Sequence, residues 1–174
     1  MTSVCGVFMS NRPELLRRAQ EYCERKGLLI GDSLGAGVHG SVFAVESQSG
    51  KRISAIKVHE REPYYRCERD VYSRLLECEV ADIRGCAVPE MLHYDDELWV
   101  IEMTVVTRPF VLDFAGAYLD EPPDFSEEVM ADWRAEKAEQ FGSRWPEVQA
   151  ILRVLEGHGV FMVDVNPGNI SFGD

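Results

Sequence analysis

The feature that most limits how this chain can fold is a glycine-rich segment between two stretches that alternate as β-strands do. Residues 34–42 are Leu-Gly-Ala-Gly-Val-His-Gly-Ser-Val, so Gly35, Gly37 and Gly40 follow the spacing G-x-G-x-x-G. Without a Cβ, glycines let backbone N–H groups approach phosphate oxygens closely. A dinucleotide-binding fold needs a helix directly after the glycines, whereas residues 41–45 alternate as a strand. The segment therefore predicts either a simple hairpin turn or a phosphate-binding loop within an antiparallel sheet.

The pattern of apolar and turn residues predicts an α+β fold with an antiparallel sheet in its first half. Four helices are predicted, over Pro13–Lys26, Pro63–Glu79, Ser126–Gln140 and Pro146–Gly157. Five strands are predicted, over Leu28–Leu34, Ser41–Glu46, Arg52–Val58, Met91–Tyr94 and Leu98–Val105. Leu16 and Leu76 fall on the predicted inward faces of the first two helices. Residues 107–125, which contain three prolines, are predicted to form an irregular linker.

The charge balance and the cysteines exclude several classes of protein. The chain carries 30 Asp and Glu against 18 Lys and Arg, for a net charge of −12. Such an acidic surface repels phosphate backbones, so we expect no nucleic-acid partner, although a local pocket can still hold a nucleotide. The five cysteines form no C-x-x-C pair and are odd in number, which favours free thiols in a reducing compartment. No apolar stretch approaches the roughly 20 residues of a membrane span, so we expect no membrane partner and a cytoplasmic location.

Lys57 lies on the predicted strand Arg52–Val58, the second strand after the glycine-rich segment. A lysine on a strand is commonly an exposed edge charge. Alternatively, Lys57 pairs back beneath the glycines, where Ala55 on the same face leaves room for a flat base. Glu68, on the next predicted helix, is either a solvated carboxylate or the partner of Lys57, with Glu77 as the second candidate. A buried pair of this kind adds little stability, but it positions charge well.

The segment Asp164-Val165-Asn166-Pro167-Gly168-Asn169 concentrates oxygen atoms near the end of the sequence. Mg²⁺ prefers oxygen ligands, and an aspartate can orient a hydroxyl for in-line attack on a phosphate. The same residue types are also ordinary loop formers. Asp164 and Asn169 are therefore candidate catalytic and metal-binding residues on a tight Pro-Gly turn.

In this order, the four elements resemble those of the protein kinase superfamily, over about residues 28–171. Residues 35–42 are similar to its glycine-rich loop, and Ser54-Ala55-Ile56-Lys57 is similar to its Val-Ala-Ile-Lys strand. Glu68 resembles its helix C glutamate, and Asp164 to Asn169 matches its Asp-x-x-x-x-Asn catalytic loop. The resemblance implies a two-lobe fold with an antiparallel five-stranded N-lobe and a truncated helical C-lobe. Residues 1–27 would form a helix packed on the N-lobe, 28–106 the N-lobe, and 107–174 the shortened C-lobe.

The resemblance also implies ATP and Mg²⁺ as cofactors and assigns a role to each matching residue. Asp164 would be the catalytic aspartate, Lys57 would hold the α- and β-phosphates, and Glu68 would hold Lys57. The nucleotide would be bound by Gly35, Gly37, Gly40, Val42, Ala55 and Lys57, and by the hinge residues Glu102, Met103 and Thr104. Asn169 would be a metal ligand.

The chain departs from the superfamily in its final residues. Met162-Val163 stands where His-Arg is usual, and no Asp-Phe-Gly segment follows Asn169. Asp174 is the carboxylate that could replace the missing metal-binding aspartate. Three functions follow as hypotheses: an ATP-dependent phosphotransferase, a nucleotide-binding pseudokinase that serves as a regulatory or scaffold module, and an interaction domain with an empty pocket. The transferase would act on a protein Ser/Thr or on a small-molecule hydroxyl, because Asp-x-x-Pro-Gly-Asn is also similar to aminoglycoside and choline kinases.

Overall fold

Helices and strands form an α+β arrangement in a computed structural model that describes residues 12–173; residues 1–11 and Asp174 lie outside the described range. The helices are α1 (Arg12–Lys26), α2 (Glu62–Glu77), α3 (Glu127–Phe141) and α4 (Trp145–Gly157), and a 3₁₀ turn at Gly142–Arg144 joins the last two. The first seven strands are β1 (Leu29–Gly37), β2 (Gly40–Glu46), β3 (Arg52–His59), β4 (Asp82–Ile83), β5 (Cys86–Ala87), β6 (Met91–Asp95) and β7 (Val100–Met103). They are followed by β8 (Phe110–Val111), β9 (Tyr118–Leu119), β10 (Val160–Phe161) and β11 (Ile170–Ser171).

Five strands form one antiparallel sheet in the order β1-β2-β3-β7-β6. The α+β class and the five-stranded antiparallel sheet predicted from the sequence are confirmed. Val42 of β2 pairs with Lys57 of β3, and Ala55 of β3 pairs with Met103 of β7. Paired residues share a face of an antiparallel sheet, so Val42, Ala55, Lys57 and Met103 all lie on one side of it.

Helices α1 and α2 cover opposite faces of this sheet. Helix α1 buries Leu15, Ala19, Tyr22 and Cys23 in a cluster with sheet residues that include Ile56 and Val100. Helix α2 buries Tyr65, Glu68, Val71, Tyr72 and Leu75 on the other side. The prediction that Leu16 and Leu76 point inward is wrong, because both are at least 40% exposed. Each leucine follows a buried leucine, and one helical step turns its side chain by about 100°, out of the buried stripe.

The short strands form a two-stranded sheet, β9–β10, and a four-stranded sheet in the order β11-β8-β5-β4, and the helices α3 and α4 lie in the second half of the chain. Strand β8 pairs with β11, and β9 pairs with β10, both antiparallel. The prediction of an irregular linker over 107–125 is therefore wrong at β8 and β9. Strands of two residues leave no readable alternation in the sequence, and their partners lie far along the chain. The predicted start of α3 at Ser126 is confirmed, since the Ser126 hydroxyl accepts from the Val129 N–H at 3.3 Å.

One large hydrophobic cluster joins both halves of the molecule. It includes Tyr72 and Leu75 from α2, Phe114 from the segment after β8, and Ile151 and Leu155 from α4. A continuous core of this kind fixes the position of the second half against the sheet. Within residues 12–173, none of the helices combines the length and apolar character that crossing a bilayer requires.

Candidate active site

A cavity of about 820 Å³ lies against the sheet face that carries Ala55 and Lys57. Its walls come from the glycine-rich hairpin β1–β2, from α2, and from residues 103–113 and 164–169. The residues from the sequence analysis that line it are Gly35, Gly37, Gly40, Val42, Ala55, Lys57, Glu68, Met103, Thr104, Asp164 and Asn169. The fold therefore brings together candidates from the glycine-rich segment, β3, α2, the predicted hinge and the loop at 164–169.

Lys57 is buried and holds two carboxylates at once. Its Nζ lies 2.7 Å from Glu68 Oε2 and 2.7 Å from Asp113 Oδ1, and the side chain is only 6% exposed. Burial by itself lowers the pKa of Lys57, but the charges of Glu68 and Asp113 outweigh it and hold the pKa above its ordinary value. Lys57 is thus a fixed cation at the wall of the cavity, and the alternative of an exposed edge charge does not apply.

Glu68 is the most enclosed charged group of the site. Its Oε2 receives Lys57 Nζ and also His59 Nε2, the latter at 2.6 Å, while Oε1 accepts the backbone N–H of Phe114 at 3.2 Å. Burial raises the pKa of Glu68, but the charge of Lys57 and the hydrogen bond from His59 lower it to about 2. The expected pairing of Lys57 with Glu68 is present, whereas Glu77 is exposed on the same helix.

Asp113 is a site residue that the sequence analysis missed. It lies two residues after the end of β8, in the stretch predicted to be an irregular linker, and it has a left-handed backbone with φ of 66°. A non-glycine residue in this conformation is uncommon and often marks a functional site. The next residue, Phe114, is fully buried and packs edge-on against Tyr72 of α2, with ring centroids 5.3 Å apart. The available signal was Asp113-Phe114-Ala115-Gly116, an Asp-Phe pair near a glycine that precedes Asp164 instead of following Asn169.

The loop from Asp164 to Asn169 is held by its own hydrogen bonds. Asn169 Nδ2 donates to the carbonyl oxygen of Asp164 at 2.7 Å, and the Gly168 N–H donates to Asn166 Oδ1 at 2.8 Å. From α3, Trp133 Nε1 donates to the carbonyl oxygen of Val163 at 3.0 Å. The Asp164 side chain remains 46% exposed. The loop therefore presents a carboxylate to the cavity from a fixed backbone.

The tip of the glycine-rich hairpin reaches across the cavity. His39 Nδ1 lies 3.9 Å from Asp113 Oδ1 and 3.9 Å from Asp164 Oδ2. A Cβ added at Gly40 would collide with the carbonyl oxygen of Val58, so β3 itself requires a glycine there. At Gly35 and Gly37 a Cβ would meet nothing within 4 Å. The packing of the fold therefore requires a glycine at position 40. It does not require one at positions 35 and 37, where the free space is available to a ligand.

The predicted hinge is divided between the two faces of the sheet. Met103 and Thr104 line the cavity, whereas Glu102 does not. Successive strand residues point to opposite faces, which turns the Glu102 side chain toward α1. There it accepts hydrogen bonds from Tyr22 Oη at 2.8 Å and from Ser54 Oγ at 2.6 Å. The assignment of Glu102 to cofactor binding therefore has no support from its side chain.

The oxygen atoms that line the cavity suit a cation such as Mg²⁺, provided that a bound nucleotide supplies further oxygen ligands. Across residues 12–173, no three His, Cys, Asp or Glu side chains form a ready metal cage. Mg²⁺ does not need one, because one or two carboxylates together with substrate phosphates commonly hold it. Asp113 and Asn169 both line the cavity, and they would supply a carboxylate and an amide oxygen to such a cation. Asp174, the other candidate ligand, lies outside the described residues.

Comparison with known proteins does not assign a family to this chain. No protein-family model matches it, and no curated protein matches it. The case for a function therefore rests on the geometry of the cavity and on the chemistry of the residues that line it.

Proposed function

We propose that this chain is an ATP-dependent phosphotransferase with a protein-kinase-like site. It would transfer the γ-phosphate to a hydroxyl group of a protein Ser/Thr or of a small molecule. Positioning and electrostatic stabilisation account for most of the catalysis of such transfers, so a small chain with few catalytic groups is sufficient in principle.

The observation that carries the proposal is the double ion pair at Lys57. A buried lysine 2.7 Å from both Glu68 and Asp113 sits under a glycine-rich hairpin, in a cavity that also contains Asp164 and Asn169. Keeping a lysine and two carboxylates away from water is costly, and such arrangements cluster at functional sites. The same groups have clear uses around a bound nucleotide: Lys57 for the phosphates, Glu68 to aim Lys57, and Asp113 for a metal ion.

Asp113 is a candidate for the metal-binding aspartate that the sequence lacks after Asn169. The pseudokinase alternative depended on the absence of a metal-binding aspartate after Asn169. Asp113 provides a carboxylate in the cavity, and Phe114 is buried against α2 as the phenylalanine of an Asp-Phe-Gly segment would be. In this proposal Asp113 and Asn169 hold Mg²⁺, which neutralises the charge that develops on the phosphates. This supports an active transferase over a binding module without chemistry.

Asp164 is the proposed catalytic base. Its carboxylate is partly exposed to the cavity, and its backbone carbonyl is fixed by Asn169 at 2.7 Å. A carboxylate held this way can accept the proton of an incoming hydroxyl and orient it for in-line attack. On the opposite wall, Met103 and Thr104 are the proposed contacts to the adenine base, together with Ala55 and Val42.

Titration calorimetry with ATP, with and without Mg²⁺, tests this function. We expect binding that strengthens with Mg²⁺ in the unmodified protein and in Glu139→Gln, a control at an exposed carboxylate of α3 outside the cavity. Asp113→Asn should bind ATP but lose the effect of Mg²⁺. Lys57→Met should weaken MgATP binding.

Phosphate transfer from labelled ATP separates catalysis from binding. Asp164→Ala should abolish transfer while it leaves ATP affinity largely intact, because Asp164 is assigned to the acceptor hydroxyl. Unchanged transfer in Asp164→Ala would reject the assignment of the base. Binding that ignores Mg²⁺ would favour the pseudokinase, and an absence of ATP binding would reject both.

A further inference from the structure

His59 is a buried histidine, two residues after Lys57 on β3, that the proposed chemistry does not use. Its side chain is fully enclosed, with 0% exposure. Nε2 lies 2.6 Å from Glu68 Oε2, and Nδ1 lies 3.2 Å from the backbone carbonyl oxygen of Trp99. Buried polar groups are normally hydrogen-bonded, and here both partners are acceptors. An N–H at Nε2 satisfies the shorter of the two contacts, the one with Glu68.

Lys57 and His59 share one carboxylate oxygen of Glu68. Lys57 Nζ lies 2.7 Å from Glu68 Oε2, and His59 Nε2 lies 2.6 Å from the same atom. Burial raises the pKa of that carboxyl group, but the charge of Lys57 and the hydrogen bond from His59 outweigh it and lower the pKa. Glu68 is therefore held by Lys57, which lines the cavity, and by His59, which does not.

Helix α1 fixes the backbone around His59. Arg18 of α1 is buried, and its guanidinium donates to the carbonyl oxygen of His59 at 2.7 Å and to that of Leu98 at 3.0 Å. The same guanidinium lies over the ring of Trp99, 5.0 Å from its centre. Trp99 supplies the carbonyl that His59 Nδ1 faces, and it has a left-handed backbone with φ of 50°. A chain of polar contacts thus runs from α1, through β3 and the turn before β7, to Glu68.

We propose that His59 is a positioning residue, which locks Glu68 of α2 onto Lys57 and connects this pair to helix α1. This inference rests on the proposed function, in which Lys57 must stay aimed at the nucleotide phosphates. Without the bond from His59, Glu68 keeps Lys57 as its partner on β3, and α2 loses one hydrogen bond to the sheet. Loss of the bond then reaches the cavity through Lys57 and through the Phe114 N–H, which Glu68 also holds.

Two substitutions separate the two ring nitrogens. His59→Gln places an amide donor near the position of Nε2 and can keep the bond to Glu68. His59→Asn reaches only to the position of Nδ1, and so it keeps the side facing Trp99 and loses the bond to Glu68. Both remove the ring, so both carry a similar packing loss. His93→Gln on β6, where the histidine is exposed, is the matched control.

The first readout is MgATP affinity by calorimetry, together with kcat and KM where transfer is measured. We expect His59→Asn to bind MgATP about tenfold more weakly or worse, as expected when a hydrogen bond to a charged group is lost. His59→Gln should stay within about threefold of the unmodified protein and should melt above His59→Asn, because it keeps the hydrogen bond to the buried carboxylate. Equal affinities in the two variants, or a weaker His59→Gln, would overturn the proposal.

The second readout does not depend on nucleotide binding. Hydrogen exchange in the protein without ATP should be faster in α2 and in residues 113–116 for His59→Asn than for His59→Gln. If the unmodified protein binds no ATP, the proposed function fails, and this exchange difference still decides the role of His59. Equal exchange in the two variants rejects that role even where ATP binds.

Discussion

Because Glu68 is buried and charged, we expect the free energy of unfolding to fall in acid. In the folded protein the pKa of Glu68 is lowered from 4.5 to about 2, because Lys57 and His59 outweigh the effect of burial. A group whose pKa is lower in the folded state stabilises the fold fully above its unfolded pKa and loses that contribution as the pH falls through the folded value. The contribution of Glu68 is therefore complete above about pH 4.5 and disappears toward about pH 2.

The size of the effect follows from the same difference. One pKa unit corresponds to about 1.36 kcal/mol, so a lowering of about 2.5 units gives on the order of 3 kcal/mol at neutral pH. Glu68→Gln removes the charge and keeps the shape, and it should cost the protein on the order of 3 kcal/mol at neutral pH. In acid the protonated carboxyl of Glu68 resembles the amide, so the two proteins should approach equal stability.

Urea denaturation between about pH 6 and pH 3 measures this convergence. The difference in free energy of unfolding between the unmodified protein and Glu68→Gln should shrink by about 1 kcal/mol for each pH unit below about pH 4.5. Glu77→Gln, at an exposed carboxylate of the same helix, should show little difference at any pH. A Glu68 difference that stays constant down to about pH 3 would refute the buried ion pair.

Two further substitutions test separate parts of the fold. Gly37→Ala should leave the melting temperature unchanged, because a Cβ there meets nothing within 4 Å, but it should weaken ATP binding in calorimetry. Gly40→Ala should lower the melting temperature, since its Cβ collides with the carbonyl oxygen of Val58; the same outcome for both glycines would contradict this division. Tyr22→Phe removes a donor 2.8 Å from the buried carboxylate of Glu102 and should lower the free energy of unfolding by about 1–3 kcal/mol. Urea denaturation checks the tyrosine, and no change would mean that Glu102 does not depend on it.

Much of the first half of the molecule could be predicted from the sequence. Long elements such as α1 and β3 carry enough apolar periodicity to locate them within a few residues. The pleat of a strand also predicted correctly that Ala55 and Lys57 share a face. The same rule, applied to β7, would have turned the Glu102 side chain away from that face. The resemblance assigns backbone groups of the hinge to the adenine edge, so the direction of the Glu102 side chain leaves that assignment untested.

His59 and Arg18 could not have been predicted as parts of the site. A histidine on a strand and an arginine on a helix are ordinary surface residues until the packing of α1 and α2 is known. Arg18 is buried because α1 covers the face of the sheet opposite the cavity. His59 shares the sheet face of Lys57 and is buried beneath α2, where its ring lies 5.6 Å from that of Tyr65. Sequence periodicity indicates that α1 has a buried stripe, but it does not indicate which surface the stripe meets.

Asp113 reaches the cavity through strand pairing and not through chain order. Val111 of β8 pairs with Ile170 of β11, and the Leu112 N–H donates to the carbonyl oxygen of Asn169 at 2.9 Å. This short ladder sets Asp113 beside Asn169, although the two residues come from opposite ends of the second half. A search for a metal-binding aspartate after Asn169 follows the order of the chain and cannot find it. Two paired strands bring the same residues together whichever of them comes first in the chain. The proposed metal site therefore depends on the pairing of β8 with β11, and the aspartate can come before Asn169 instead of after it.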